Sequence, residues 1–200
     1  LDLGVPVPTI TASVDARIVS GHKHERVKTS SFLRSRPRRL GRVGRRTVLA
    51  LLEEACYAAE LVAYAQGMHL LRRASEEYGY GIGLAEVAGI WKGGCIIRSR
   101  MLNGIRDAFL RKPGLPHLFL DRRFAGLLRA CVGGLRKAVA VAAGARIAAP
   151  CLASALAYHD SFARGTGPAS LIQAQRDFFG AHTFERTDRP GTFHADWSDV

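Results

Sequence analysis

The sequence predicts an all-α fold, and three observations carry that prediction. Apolar residues recur at spacings of three and four over long windows. Runs that alternate with period two are scarce, and glycine and proline mark the ends of several periodic stretches. The 200 residues are 48% apolar and 23% charged, which is ordinary globular usage and argues against a disordered chain. A chain of this length buries roughly 70% of its unfolded surface, so a core is expected without disulfide staples.

The elements follow in order. Pro8 precedes a small-and-aliphatic helix through Val14. The same pattern returns at Pro150-x-Leu152-x-Ser154-Ala155-Leu156 as a weak internal echo. Arg34 to Arg46 holds seven arginines among Pro37, Gly41 and Gly44 and reads as a solvated loop. Residues 47–77 are the clearest helix. Val48, Leu51, Leu52, Ala55, Ala59, Val62, Gln66 and Leu70 form its stripe, with Glu53, Glu54 and Glu60 on other faces. Tyr78-Gly79-Tyr80-Gly81 ends it, because glycine permits the turn. Helical patterns then run over 84–91 and 95–111, the latter stopped by Pro113 and Pro116. Asp121 suits the N-cap of a helix reaching 143. Pro150 opens another to 163, and Gly167-Pro168 starts a last one that ends at Gly180. The final twenty residues read as an extended tail, so the organisation is a helical domain over 1–180 and a tail over 181–200.

From Ala138 to His159, a stretch of 22 residues, Arg146 is the only charge. The length permits a membrane span. Gly144, Arg146 and Pro150 near its centre fit two buried helices better, and no membrane association is expected. Leu1 is not an initiator methionine, and the first residues carry no signal pattern. The chain therefore reads as a fragment or a processed product.

Lysine plus arginine number 29 against 17 acidic residues, a net charge of +12, and 24 of the 29 are arginine. That excess implies polyanionic or phosphorylated partners, or an oligomer facing them. Nucleic acid is not expected: only Phe32 lies near the arginine run, and base stacking needs interleaved aromatics. Cys56, Cys95, Cys131 and Cys151 have neither zinc nor disulfide-framework spacing, so no metal and a reduced, cytoplasmic protein are expected. His22-x-His24 reads as solvated.

Gly79-Tyr-Gly81-Ile-Gly83 follows a helix, whereas the dinucleotide fingerprint needs a strand before it. It reads as an interhelical turn. Walker, G-x-S-x-G and H-E-x-x-H motifs are absent from the sequence. The more specific run is Leu171-Ile-Gln-Ala-Gln-Arg-Asp-Phe-Phe-Gly-Ala-His-Thr183. On a helix Gln173 and Arg176 share a face. An unbroken helix would turn His182 about 240° from Arg176, but a break at Gly180 can bring the two together. Arginine's planar fork suits phosphate, and histidine can donate to a phosphate or a sugar hydroxyl. A helix-end arginine beside a surface histidine is the plain alternative.

That run resembles the C-terminal signature of the 6-phosphogluconate dehydrogenase family. Ile90-Trp-Lys-Gly-Gly-Cys-Ile-Ile-Arg-Ser99, Ala63-Tyr-Ala-Gln-Gly67, Leu3-Gly-Val-Pro-Val-Pro-Thr9 and Phe193-His-Ala-Asp-Trp197 match other family segments, in family order and over nearly the whole chain. The resemblance implies an all-α C-terminal domain with a long central helix and a crossing tail. It implies an enzyme of the pentose phosphate pathway, an NADP-dependent oxidoreductase that decarboxylates 6-phosphogluconate to ribulose 5-phosphate. Arg17 matches the family arginine on the substrate phosphate. Arg176 and His182 match the pair that one subunit inserts into its neighbour's site, which implies a homodimer with composite active sites. The family's Rossmann NADP domain, its catalytic lysine and glutamate and a further phosphate lysine precede the point that Leu1 matches. No catalytic residue is therefore carried over, and the chain alone is expected to be inactive. Glu60, where the family commonly has lysine, Ser170, where it has asparagine, and Gly165-Thr-Gly167 depart from the pattern. A stand-alone dimerisation or phosphosugar-binding module is the second reading.

Overall fold

The computed structural model describes residues 2–34, 36–40, 44–167 and 169–197. The chain divides into two compact units, Leu1–His159 and Asp160–Val200. The first unit contains α1 (Pro8–Gly21), α2 (Lys23–Leu33), α3 (Arg45–Tyr78), α4 (Leu84–Gly94), α5 (Met101–Arg111), a 3-10 turn at Leu118–Leu120, α6 (Arg122–Gly144) and most of α7 (Pro150–Phe162). The second contains α8 (Ala169–Gly180) and two short strands, β1 (Phe184–Glu185) and β2 (Thr192–Phe193). The expected all-α class holds among the described residues.

Helix α3 is the frame. Its 34 residues rise about 50 Å at the usual helical pitch. From Ala55 to Met68 it buries Ala55, Ala58, Leu61, Val62, Ala65 and Met68 against the core, with α6 as its main partner. Small side chains let the two axes come close. At Gly134 of α6 a Cβ would lie 2.5 Å from the Glu54 Cβ, so this crossing requires glycine. One member of the expected stripe departs from it: Leu52 is 41% exposed.

The local stops behave as their chemistry dictates. Gly79 takes φ 66° and ends α3. Ser75 fastens the turn, since its carbonyl accepts the Tyr80 N–H at 3.2 Å and its hydroxyl accepts the Ile82 N–H at 2.8 Å. Asp121 caps α6, its Oδ1 accepting the Arg123 and Phe124 N–H groups at 3.0 and 3.2 Å. Pro8 and Pro150 open α1 and α7 as expected. Pro168, the expected opener of α8, lies outside the described residues.

Four boundaries depart from expectation. Residues 95–100 are not helical. Cys95 is extended (φ −99°, ψ 151°) after the Gly93-Gly94 pair, and α5 starts only where the Ser99 hydroxyl accepts the Met101 N–H. Helix α2 has no buried residue and so had no apolar stripe to announce it. The tail is not simply extended, because Phe184 pairs with Phe193 and Glu185 with Thr192 in an antiparallel hairpin. Gly144 belongs to α6, and the break in the apolar stretch before Pro150 comes at Ala145–Ala149, where Arg146 takes φ 58°. Among the described residues no helix is long and apolar enough to cross a membrane. Of the arginine run, Arg36, Arg38 and Arg39 lie on irregular exposed backbone, while Arg42 lies outside the described residues.

Candidate functional site

Arg17 stands on α1, about two turns beyond a fixed point. That point is Thr9, buried against α3. The Thr9 N–H donates to Gln66 Oε1 at 3.0 Å, and Gln66 Nε2 donates to the Thr9 hydroxyl at 2.9 Å. Gln66 is fully buried, and a buried amide without such partners would cost several kcal/mol, roughly the desolvation of a polar group. The reciprocal pair therefore fixes where α1 leaves the core. Arg17 itself is exposed and forms no ion pair with the described residues.

Arg176 and His182 belong to the second unit and are both exposed. The one-turn spacing expected for Gln173 and Arg176 is realised: Arg176 Nη1 donates to Gln173 Oε1 at 3.2 Å. The Gln173 amide reaches on to the carbonyl of Thr183, tying the helix to the chain beyond it. The break comes at Gly180. Ala181 and Thr183 then take φ 52° and 61°, a region that alanine and threonine rarely adopt. The His182 ring folds back over Gly180, where a Cβ would meet ring atoms at 3.1 Å.

What holds this strained turn is a residue that the sequence reading did not single out. Asp177 is completely buried. Its Oδ1 accepts the Thr183 N–H at 2.8 Å and pairs with His194 Nδ1 at 2.9 Å. Its Oδ2 accepts the Ala195 N–H and the Trp197 indole N–H, each at 3.0 Å. Burial by itself pushes the carboxyl up. The donors from Ala195, His194, Trp197 and Thr183 outweigh that and hold it well below the usual carboxylate range. Asp177 thus pins the tail to α8 and, through the Thr183 N–H, holds the turn that carries His182. The clue in the sequence was an aspartate set between Arg176 and Phe178-Phe179, with His194 and Trp197 as unassigned donors downstream.

A second unanticipated cluster lies in the core of the first unit. The Phe119 N–H donates to His117 Nδ1 at 3.1 Å, so the ring proton sits on Nε2 and faces the Tyr158 oxygen at 3.0 Å. Burial, then the neighbouring His69, lowers His117 to about 4, and burial raises Tyr158 to about 12. This imidazole is kept neutral by its surroundings and ties the 3-10 turn to α7. No group of histidines, cysteines and carboxylates among the described residues could hold a metal ion. Gly79-Tyr-Gly81-Ile-Gly83 joins α3 to α4, as expected of an interhelical turn.

Comparison with known proteins gives one consistent result. Residues 1–197 match the family described as 6-phosphogluconate dehydrogenase, C-terminal domain. The NADP(+)-dependent, decarboxylating 6-phosphogluconate dehydrogenase of Bacillus subtilis is 43% identical over 98% of this chain and 42% of its own length. The decarboxylating 6-phosphogluconate dehydrogenase of Lactococcus lactis strain IL1403 is 45% identical over the same shares. The solved 6-phosphogluconate dehydrogenase of Plasmodium falciparum, studied free, with NADP+ and with 6-phosphogluconate, superposes with a TM-score of 0.89. It is 37% identical, over 97% of this chain and 42% of that one. The chain thus spans about two fifths of the length of these relatives.

Proposed function

The chain belongs to the 6-phosphogluconate dehydrogenase family, and from that membership we propose that it forms the substrate-holding part of an NADP-dependent enzyme that oxidises and decarboxylates 6-phosphogluconate. The observation that carries the reading is the match of residues 1–197 to the family's C-terminal domain. In this reading Arg17 and Arg176 hold the substrate phosphate, with His182 beside them. Two guanidinium groups can neutralise a phosphate dianion, and an imidazole can donate to a phosphate or hydroxyl oxygen.

The geometry supports a division of labour. Arg17 projects from a helix anchored in the core by Thr9 and Gln66. Arg176 and His182 ride on a second unit that is closed by Asp177. Separate mounting of the two halves is what a composite site in a homodimer needs, with Arg17 from one subunit and Arg176 and His182 from the other. The described residues do not fit NADP, because their glycine-rich turn joins two helices and a dinucleotide site needs a strand before the helix. Hydride chemistry is therefore assigned to none of the described residues. A free-standing phosphosugar-binding module is not favoured, since the relatives named above carry one activity in common.

Titration calorimetry with 6-phosphogluconate, paired with light scattering, tests the reading. We expect a dimer that binds the ligand, with Arg17→Ala and Arg176→Ala each weakening binding by about 1.5–3 kcal/mol, the range for hydrogen bonds to charged groups. Binding unchanged in both variants would remove these arginines from the site. A monomer that binds normally would remove the composite arrangement.

A further inference from the structure

A cluster of rings in the first unit joins three elements. His69 comes from α3, His117 and Phe119 from the 3-10 turn and its cap, and Tyr158 and His159 from α7. The His69 and His117 rings meet at right angles with centroids 5.4 Å apart. Phe119 lies edge-on to Tyr158 at 5.9 Å, and 6.2 Å from His159.

Neither His69 nor His117 can take a second proton where it stands. His117 Nδ1 already accepts the Phe119 N–H, and its other nitrogen faces the Tyr158 oxygen. A proton on Nδ1 would set two donors against each other, so His117 can ionise only when the turn releases the Phe119 N–H. His69 Nδ1 is buried and has no hydrogen-bond partner among the described residues. An imidazolium donates from both nitrogens, and this donor would have no acceptor. The surrounding charges do not help. Arg72 and Arg73 follow His69 on α3, and Glu76, the one carboxylate that favours its ionisation, is already paired to both. Asp121, at the end of the turn, is taken up by Arg111 and by the Arg123 and Phe124 N–H groups. Burial, reinforced at His69 by the arginines and at His117 by His69, holds both imidazoles below the ordinary histidine value.

The same rings fasten α7. Ala155 and Tyr158 are its buried residues, and Tyr158 is held by His117 and Phe119. The pairing of α3 with α6 uses other side chains, from Ala55 to Met68 on one helix and around Gly134 on the other. The chain enters the second unit through the last turn of α7.

We propose that His69 and His117 form an acid-operated latch: both rings take up a proton in one step, the 118–120 turn releases α7, and the α3–α6 core stays closed. Release turns a helical connection to the segment bearing Arg176 and His182 into a loose one.

Amide hydrogen exchange followed from pH 7 to 4.5, corrected for its intrinsic pH dependence, tests the latch. Opening linked to two protons should speed exchange at residues 118–120 and 150–159 by up to about a hundredfold per pH unit, about ten for each proton. Residues 58–68 should keep their protection, since local openings need not involve the rest of a core. His117→Asn keeps an oxygen that can accept the Phe119 N–H, as an asparagine turn does, yet cannot titrate. Its slope should fall to about tenfold per pH unit at most. His69→Leu removes the unpartnered ring and should lower the slope in the same way. Exchange at 150–159 that rises only together with 58–68 would mean that acid unfolds the unit as a whole, and would overturn the latch. A slope unchanged in both variants would overturn it too.

Discussion

The two units are held together by different means. The first closes over a continuous apolar core in which Leu61, Leu102, Ile105, Phe124 and Leu135 are essentially removed from water. In the second, no apolar residue among those described is fully buried; its one fully buried side chain is the carboxylate of Asp177. Around that anion the packing is local, with Phe178 edge-on to Trp197 at 5.6 Å and Phe184 beside Phe193 at 6.4 Å. Leu171, Ile172 and Phe179 remain largely exposed. A polar hub fixes geometry, since each donor has one acceptable direction, whereas apolar burial supplies most of the stability of a core. The first unit is built to be stable and the second to hold a few side chains in place. Its exposed apolar face accords with the proposal that another subunit covers it.

The largest expected effect breaks the first unit. Phe124→Ala removes a ring that is 1% exposed where α6 enters the core, and should cost about 3–5 kcal/mol. Chemical denaturation should show that loss in the helical signal. Asp177→Ala should act on the other unit alone. Four donors would lose their acceptor, the turn at Ala181 and Thr183 would relax, and 6-phosphogluconate binding should drop tenfold or more, as for loss of a charged acceptor. The denaturation midpoint of the first unit should stay put. Asp177→Asn keeps the shape and part of the hydrogen bonding, so it should restore some binding; equal damage from both variants would assign Asp177 a bulk role instead of a positioning one.

Acid separates the units in a third way. His117 has a folded pKa of about 4 against an ordinary 6.5. Between those values the unfolded chain takes up a proton that the folded core refuses. Its contribution is therefore complete above pH 6.5 and lost as pH falls toward 4, on the order of 2 kcal/mol after discounting for residual solvent screening. Asp177, also depressed, contributes fully above its ordinary carboxylate value and loses that contribution only in stronger acid. Fluorescence of Trp197 and helical signal followed from pH 8 to 3 should show the first unit weakening while the Asp177 hub persists. His117→Phe, which cannot titrate, should flatten the helical response.

Much of the first unit was legible because its signals are local. Asp121 caps the helix it precedes, Gly79 stops the helix it follows, and the stripe from Ala55 to Gln66 lies on one face of one segment. The extension of α5 back to Cys95 failed because Ile96 and Ile97 keep an apolar rhythm on backbone that Gly93-Gly94 has already turned. The Asp177 hub was not legible. Its partners lie 17 to 20 residues away at His194, Ala195 and Trp197. The turn that brings them back uses positive φ at alanine and threonine, where composition predicts none. Arg17, Arg176 and His182 are exposed side chains that periodicity cannot single out, and they were named through resemblance.

The central claim is that one binding site draws Arg17 and Arg176 from different subunits. The most direct test mixes Arg17→Ala protein with Arg176→Ala protein, allows the subunits to exchange, and measures 6-phosphogluconate binding. In random heterodimers one site combines both defects and the other has neither. About a quarter of all sites should therefore regain the unmodified affinity, as the two-fold symmetry of a dimer requires. A mixture in which no tight-binding fraction appears after exchange would contradict the shared site and return both arginines to a single subunit.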